Sequence, residues 1–325
     1  MVNWNSIGHF FVYEGYLWDW LTAAVAIVIN LVVPAQIDPL NRVYMPNDPT
    51  LSYPLEDSSV PTSALYVLVF VLPAVVFAVA AWVKRWTVPS WAFVDWHHAA
   101  LSIAEGFAFT TGFKRWINLV GRYRPNWLAT LQAGDQGEID DARLSYPSGH
   151  SAYMFFSMTV LALYLVGKTE LLHRPSQLLF FKAICAMAPM ALAAFVAVSR
   201  VADYKHAPSD VNAGCFIGFV CGVFAYFLNY PSLFDPASAL PKRRGSAVAK
   251  AAAEQAAEAA EYGPVPGAPG GSGGGGGAYG TPLQPRMTET AEQLAIMYGA
   301  SSGGGAASRN GGRSGGGATA VSGRY

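Results

Sequence analysis

The chain has 325 residues, of which 52% are hydrophobic and only 13% are charged, and its mean hydropathy is +0.27. Soluble domains carry about 25% charged residues, so the composition predicts a membrane protein. The 21 basic residues are balanced by 21 acidic ones, and this zero net charge argues against a nucleic-acid partner. Three cysteines inside apolar runs predict neither a disulfide framework nor a zinc site.

The first predicted element is an aromatic N-terminal segment, residues 1–16, typical of a membrane interface. After it, residues 17–235 contain six apolar runs close to the length that a spanning helix needs, about 20 residues. We therefore expect an all-α fold, a six-transmembrane-helix bundle. The third run is the least apolar because it contains Glu105 and Lys114, and charged residues in a span usually face the interior of a bundle. The six runs are 17–36, 63–84, 98–119, 151–167, 178–198 and 211–229.

Residues 236–325 differ in composition from the rest of the chain. An Ala/Glu stretch is followed by glycine-rich sequence, which buries too little apolar surface to offset the entropy of ordering. We expect a disordered Gly/Ala/Ser-rich tail. Six spans place both ends of the chain on one side, and basic residues beside the spans, such as Lys84 and Lys168, favour the cytosol for that side. The loops 37–62, 120–150 and 199–210 then lie at the non-cytosolic membrane rim.

The last two of these loops contain polar groups that suit a phosphate ester. Arginine offers a planar fork of donors that matches phosphate oxygens. Ser148 and Gly149 open a predicted helix, whose free N–H groups favour an anion. His150 and His206 are suited to attack phosphorus and to protonate a departing alkoxide. The candidate site residues are Arg124, Ser148, Gly149, His150, Arg200, His206 and Asp210.

The spacing of His206 and Asp210 suggests how one imidazole is oriented. The two residues are four apart, and Pro208 between them is well placed at the start of a helix. The carboxylate is therefore expected to reach an imidazole N–H. Such a bond would fix the tautomer and support the cation formed on phosphorylation.

Three motifs resemble those of the type 2 phosphatidic acid phosphatase superfamily, in particular its integral lipid phosphate phosphatases. They are RP at 124–125, PSGH at 147–150 and SR-x5-H-x3-D at 199–210. The resemblance covers roughly residues 15–232 and leaves the tail uncovered. It implies a phosphoric monoester hydrolase whose site lies at the rim of the membrane.

The resemblance also implies a role for each residue of these motifs. His206 would be the nucleophile that forms a phosphohistidine, with Asp210 as its orienting partner. His150 would protonate the leaving group and then activate water. The family works without a metal or another cofactor, and this sequence has no carboxylate cluster suited to Mg²⁺. The phosphoryl oxygens would be bound by Arg124, Arg200, Ser148 and the Gly149 amide.

One position departs from the family pattern. A lysine is expected seven residues before Arg124, where this chain has Ile117. Lys114 precedes Ile117 by three residues, about one helical turn, and lies on nearly the same face. We hypothesise that Lys114 supplies the missing charge to the phosphate site.

The resemblance implies a phospholipid substrate in phospholipid metabolism. Phosphatidate is the leading substrate, followed by diacylglycerol pyrophosphate and lysophosphatidate. The alternatives are a phosphatase for sphingoid-base or polyprenyl phosphates, a catalytically silent lipid-binding scaffold, and a channel or transporter. The sequence predicts no oligomeric state and does not choose among the endoplasmic reticulum, Golgi, vacuole and plasma membrane.

Other polar residues are interpreted as structural. Glu105 is expected to form a hydrogen bond within the bundle. His97 and His98 lie near the predicted cytosolic end of the third run, away from the site. For Arg122, contact with lipid headgroups and contact with substrate are equally favoured.

Overall fold

A computed structural model describes residues 10–12, 14–84, 89–173, 176–235 and 237–242. All regular structure in these ranges is helical and none is a strand, so the all-α prediction is confirmed for them. The chain divides into two units, Met1–Gly270 and Gly271–Tyr325, and every described residue belongs to the first. Apart from 237–242, the predicted tail at 236–325 lies outside the described residues.

The α-helices of the described residues are numbered here in chain order. Short turns accompany them: 3-10 turns at Pro34–Gln36 and Pro49–Leu51, and a π-helical turn at Val67–Val71 that joins α2 to α3. The helices are α1 (Tyr16–Val32), α2 (Thr62–Tyr66), α3 (Leu72–Lys84), α4 (Pro89–Asn118), α5 (Trp127–Ala133), α6 (Gln136–Ala142), α7 (Gly149–Lys168), α8 (Leu179–Ala202) and α9 (Pro208–Asn229).

Five helical stretches of the described residues are long and apolar enough to cross a membrane. On their outer faces, large side chains such as Phe180, Phe195 and Phe216 are more than 60% exposed. Such a surface is favourable next to lipid and unfavourable in water. The chain is therefore an integral membrane protein. The five stretches are Tyr16–Gln36, Thr62–Val83, Gly149–Lys168, Leu179–Ala202 and Pro208–Asn229.

The remaining predicted span lies in α4, a helix of 30 residues. This helix is not one of the five apolar stretches, and it begins nine residues before the predicted run. The polar side chains of α4 are buried or hydrogen-bonded inside the bundle, and the helix continues through them. Asp95 is only 1% exposed, and Glu105 accepts a hydrogen bond of 2.6 Å from the Asn229 amide. The expected bond of Glu105 within the bundle is therefore present.

Helix α7 is the centre of the bundle and packs against α4, α8 and α9. Its closest contact is with a row of glycines on α9, Gly214, Gly218 and Gly222, which we call the glycine seam. A Cβ atom added to Gly214 would lie 2.5 Å from the carbonyl oxygen of Ser148. Small residues four apart let membrane helices approach at backbone distance. The seam thereby fixes the start of α7 beside the start of α9.

The three long loops meet at one end of the bundle. The Tyr53 N–H donates to the Pro125 carbonyl at 3.2 Å, which ties the first loop to the second. Ser59 donates both its N–H and its hydroxyl to the Asp203 carboxylate, at 2.9 and 2.6 Å, which ties the first loop to the third. Because the Ser148 N–H donates to the Asp210 carbonyl at 3.0 Å, the second and third loops also touch.

The opposite end of the bundle contains a buried group that we call the far-end cluster: Asp95, Tyr164, Lys168 and Tyr230. The Asp95 carboxylate forms an ion pair with Lys168. It also accepts hydrogen bonds from the hydroxyls of Tyr164, at 3.0 Å, and Tyr230, at 3.1 Å. Since Lys168 donates further to the Ala239 carbonyl at 2.6 Å, the cluster fastens the segment after α9 to the bundle.

Candidate active site

A cavity of about 150 Å³ lies where the three loops meet, between α2, the end of α4 and the start of α7. We call it the catalytic cavity. Both histidines of the sequence motifs line it, so the fold brings the two imidazoles to a common space. The lining residues are Thr62, Leu65, Tyr66, Lys114, Arg115, Arg124, Asp141, Leu144, Gly149, His150, Tyr153 and His206.

His206 lies in the short turn between α8 and α9, and its side chain is 4% exposed. The Arg200 carbonyl accepts from the backbone N–H groups of Lys205 and His206, both at 3.2 Å, which holds the turn. The imidazole Nδ1 donates to the Ser145 carbonyl at 2.8 Å. Because a carbonyl oxygen only accepts, Nδ1 carries the proton and Nε2 keeps its lone pair.

The charge state of His206 follows from its surroundings. Burial, reinforced by the positive charge of Arg124, holds the pKa of His206 well below its usual range. The imidazole is therefore neutral at physiological pH, which is the state that a nucleophilic nitrogen requires.

Asp210 is linked to the His206 imidazole through Ser145, which contacts both side chains. Its Oδ2 is 3.9 Å from His206 Nδ1, beyond hydrogen-bonding distance, and the Ser145 hydroxyl donates to this oxygen at 2.6 Å. The expected imidazole bond is thus made to the Ser145 carbonyl. The other oxygen of Asp210 forms an ion pair of 2.7 Å with Arg122. Arg122, for which the sequence suggested lipid or substrate contacts, instead neutralises this buried carboxylate.

His150 is the second residue of α7 and faces the catalytic cavity from the side of α2 and α7. Its Nε2 is buried and has no hydrogen-bond partner among the described residues. Gly149 precedes it, and a Cβ atom added there would lie 3.0 Å from the Cε of Lys114. The glycine therefore leaves room for the lysine side chain over the start of α7.

Three cationic side chains line the catalytic cavity. Arg124 forms an ion pair of 2.6 Å with Asp141, whose side chain is 56% exposed, and its Nε is buried without a partner. Lys114 and Arg115 form no ion pair with any described residue. Ile117, at the family's lysine position, lines a different groove with Asn30 and Glu105.

Arg200 and Ser148 do not line the catalytic cavity, although the sequence grouped them with the other site residues. Arg200 is 1% exposed, forms an ion pair of 2.7 Å with Asp203 and donates to the Ser199 hydroxyl. The Ser148 hydroxyl accepts from the Ser151 N–H as the N-cap of α7. Both side chains support the elements that bear the histidines.

Three residues that line or support the site were not predicted from the sequence: Arg115, Ser145 and Asp141. A signal for Arg115 exists, because Lys114 and Arg115 form a basic pair within an apolar run. Ser145 acts through its backbone carbonyl as well as its hydroxyl, which a sequence pattern does not indicate.

His97 and His98 lie at the other end of the bundle, where they contact Trp20 and Tyr16. Within the described ranges, no group of three or more His, Cys, Asp or Glu side chains could hold a metal ion.

Comparison with known proteins agrees with the motifs. The family model of the PAP2 superfamily matches residues 95–232. The chain is 36% identical over 237 residues to a PA-phosphatase related-family protein of Dictyostelium discoideum, a match that covers 70% of this chain and 85% of the relative. It is 30% identical over 239 residues to Lipid phosphate phosphatase 2 of Arabidopsis thaliana, covering 68% of this chain and 79% of the relative. The chain belongs to the PAP2 superfamily.

Membership of the PAP2 superfamily confirms the resemblance inferred from the three motifs. It also confirms the expectation of a phosphoric monoester hydrolase. A further relative, 29% identical over 259 residues, is named a putative phosphatidate phosphatase of Drosophila melanogaster; the match covers 63% of this chain and 65% of the relative. No solved structure matches the chain. The PAP2 match contains both histidines of the catalytic cavity, together with Lys114, Arg115 and Arg124.

Proposed function

We propose that this protein dephosphorylates lipid phosphates, with phosphatidate as the leading substrate and diacylglycerol pyrophosphate and lysophosphatidate next. The observation that carries the proposal is the set of polar atoms without partners around the catalytic cavity. Buried nitrogen atoms of Arg115, Arg124 and His150 have no hydrogen-bond partner among the described residues. An unsatisfied buried polar group costs about 1–3 kcal/mol, and a phosphoryl group would satisfy several at once.

The first chemical step forms a covalent intermediate. The lone pair of His206 Nε2 attacks phosphorus and forms an N–P bond while the bond from phosphorus to the lipid oxygen breaks. The electron pair of that bond stays on the oxygen. His150, held as an imidazolium by the anionic phosphate bound beside it, gives this oxygen a proton, and the lipid departs as an alcohol. The positive charge that develops on His206 is balanced by the Ser145 carbonyl at 2.8 Å and, through the Ser145 hydroxyl, by Asp210.

The second step regenerates the enzyme. His150, now neutral, accepts a proton from a water molecule whose oxygen attacks phosphorus. The N–P bond breaks, its electron pair returns to His206 Nε2, and inorganic phosphate leaves. Each histidine ends in its starting protonation state, so the cycle needs no further proton donor.

Lys114, Arg124 and the Gly149 N–H are the proposed phosphoryl ligands. Charge-assisted hydrogen bonds from such groups are about twice as strong as neutral ones, and the open N-terminus of α7 adds a favourable dipole. Lys114 lies against Gly149 in the catalytic cavity, which supports its proposed replacement of the family lysine. Arg200 and Ser148, placed behind the wall, act by holding the His206 turn and the start of α7.

The proposed membrane topology has six spans, with α4 as the third. Residues 17–235 form the phosphatase domain, the described residues 237–242 are held against it by Lys168, and the remainder of the predicted tail is assigned to the cytosolic side. The catalytic cavity then lies at the rim on the lumenal or exterior side. A site at the rim suits a lipid because acyl chains stay in the bilayer, whereas moving each CH₂ into water costs about 0.8 kcal/mol.

The proposal is tested by phosphate release from phosphatidate in EDTA, with the full chain in nanodiscs. We expect release by the wild type, and its loss in His206→Ala and His150→Ala. Radiolabelled phosphatidate should leave an acid-labile, base-stable label on the wild type after rapid quenching, and none on His206→Ala. Release that survives in His206→Ala would overturn the mechanism, and no release from any lipid phosphate would overturn the function.

A further inference from the structure

The first of the three long loops begins with an apolar stretch that the catalytic cavity does not use. The side chains of Leu40, Val43 and Met45 are 66%, 100% and 75% exposed. In the three loops no other large apolar side chain is more than half exposed, and the next, Leu55, is 44% exposed. We call residues 40–45 the rim segment. Single exposed apolar residues are common on proteins, but several of them close together indicate an interaction surface.

The rim segment continues a surface that already faces lipid. The first spanning stretch ends at Gln36, and exposed apolar side chains follow one another from its last turn into the loop, such as those of Val32 and Ile37. The Leu40 N–H donates to the carbonyl of Leu119, the first residue after α4, at 2.9 Å. The rim segment therefore begins at the level where this span and α4 end, which is the expected level of the lipid headgroups.

The backbone of the rim segment is fixed to the second loop, so the exposed side chains have a defined position. Gly121 has a φ of +66°, and a Cβ atom added there would lie 2.0 Å from the Leu40 carbonyl oxygen, an approach that only glycine permits. The Tyr123 hydroxyl donates to the Arg42 carbonyl at 2.7 Å. Since Tyr123 directly precedes Arg124, which lines the catalytic cavity, the rim segment and the cavity share one backbone support.

The composition of the rim segment fits the headgroup region of a bilayer. The Arg42 side chain is exposed and forms no ion pair with a described residue, and a guanidinium matches the oxygens of a lipid phosphate. The Tyr44 ring packs against Tyr123 and Trp127, with centroids 5.2 and 5.8 Å apart, and such aromatic groups are enriched at membrane interfaces. The neighbouring acid Asp38 is exposed, so water screens its charge.

We propose that the rim segment inserts into the headgroup region of the leaflet at the loop end of the bundle. Leu40, Val43 and Met45 contact the upper part of the acyl chains, and Arg42 binds lipid phosphate. Because the rim segment and the catalytic cavity share a support, this contact fixes the height of the cavity relative to the lipid phosphates. The bilayer contact does not depend on the proposed function, whereas its effect on lipid turnover does.

A fluorescent probe tests the contact without catalysis. The full chain, with Cys185, Cys215 and Cys221 replaced by alanine, receives Val43→Cys, is labelled with bimane and is placed in phosphatidylcholine nanodiscs. Because Val43 is fully exposed, its replacement leaves the packing intact. We expect a nitroxide on the upper acyl chain to quench the probe and aqueous iodide to leave it bright. Glu56→Cys, at an exposed position of the same loop, is the control and should show the opposite pattern.

Two results at position 43 would overturn the inference. Quenching by iodide and not by the nitroxide lipid would place the rim segment in water. Protection from both quenchers would mean that protein covers the segment, for instance a second copy of the chain. A further substitution checks the cause of the contact: Met45→Asp should transfer the probe from the lipid to the iodide pattern, because an unpaired carboxylate is unfavourable among acyl chains. Met45→Leu should retain the lipid pattern.

The effect on turnover is measured with two substrates that share a headgroup, long-chain phosphatidate in nanodiscs and dihexanoyl phosphatidate dissolved as monomers. Val43→Asp should lower kcat/KM for the long-chain lipid about ten-fold, as loss of one buried apolar side chain implies, and for the soluble lipid less than about two-fold. Val43→Leu should match the wild type on both.

The outcomes separate this inference from the proposed function. If Val43→Asp lowers both values equally, the rim segment only supports the catalytic cavity, and its proposed effect on the height of the cavity is refuted while the phosphatase function stands. If the wild type hydrolyses neither lipid, the proposed function fails, and the probe at position 43 still decides whether the rim segment contacts the bilayer.

Discussion

Both ends of the bundle bury charged residues, but the ends differ in how completely these residues are paired with other protein groups. At the far end, Asp95 is bonded by Lys168 and by two tyrosine hydroxyls. At the loop end, Lys114 and Arg115 form no ion pair with a described residue. His150 Nε2 and the Nε atoms of Arg115 and Arg124 are buried and have no hydrogen-bond partner within the described part of the chain. The far end satisfies its charges internally, whereas the loop end, besides its ion pairs of Arg122, Arg124 and Arg200, presents Lys114 and Arg115 to a small polar cavity.

This difference shows which buried charges point to function. A buried ion pair with complete hydrogen bonding is a structural unit, because removing either partner leaves an uncompensated charge. Buried cations and nitrogens without partners reduce stability unless a ligand binds to them. The catalytic activity of this protein and its stability should therefore depend on opposite ends of the bundle.

The largest effect is expected at the loop end. His206→Asn removes the proposed nucleophile and should lower turnover of phosphatidate by at least about 10³-fold. The midpoint of thermal unfolding should change by less than about 3 °C, since the far-end cluster is intact. Steady-state phosphate release and a thermal melt of the same nanodisc preparation measure the two quantities. A large fall in the melting temperature would show that His206 is structural.

The opposite result is expected at the far end. Asp95→Ala leaves Lys168 buried without its carboxylate, which should destabilise the fold by about 3–5 kcal/mol. Turnover per folded molecule should stay within about two-fold of the wild type, because the catalytic cavity is not touched. Denaturant unfolding measures the first quantity, and active-site titration with turnover measures the second. Asp57→Ala, at an exposed loop position, is the matched control and should change neither.

A smaller effect is expected when one unpaired cation is removed. Lys114→Met should lower kcat/KM for phosphatidate about 10- to 100-fold, as loss of one charge-assisted phosphate contact implies. Ile117→Met is the control, because Ile117 occupies the family's lysine position but lines another groove. Unchanged turnover in Lys114→Met would show that the family lysine has no replacement in this chain.

The smallest effect concerns pH. The positive charge of Arg124 contributes to the lowered pKa of His206, so Arg124→Gln should raise that pKa toward its usual value. Since a protonated imidazole cannot attack phosphorus, the acid limb of the pH profile of kcat/KM should move to higher pH, by about one unit or less. An acid limb that does not move would mean that burial alone sets the pKa. The profile is measured at constant ionic strength because screening weakens such effects.

Much of the fold follows from hydrophobic pattern alone. The five apolar helical stretches coincide with predicted runs, because a spanning helix needs length and apolarity and little else. Helix α4 was harder to delimit. Its polar residues from Asp95 to His98 are satisfied inside the bundle by partners far away in the sequence, such as Tyr164 and Tyr16, and no local pattern reveals such partners.

The site was predictable to the extent that its residues belong to motifs. His150, His206, Gly149 and Arg124 line one cavity as the motifs suggest. Lys114 lines it as well, whereas Ile117, one helical turn further along α4, lines a different groove. The positions of side chains behind the lining of the catalytic cavity could not be predicted from the motifs. Whether Arg200 faces the cavity depends on its pairing with Asp203, which the linear sequence does not determine.

The glycine seam has a consequence for catalysis in membranes of different composition. His150 is the second residue of α7, and His206 lies two residues before the start of α9, so the two proposed reacting nitrogens are positioned by two helices in backbone contact. We expect this pair to tilt as one body when bilayer thickness changes, so that the spacing between the imidazoles is preserved. Turnover should then be nearly the same in short-chain and long-chain lipids, whereas bulk inserted at Gly214 would separate the histidines in any lipid.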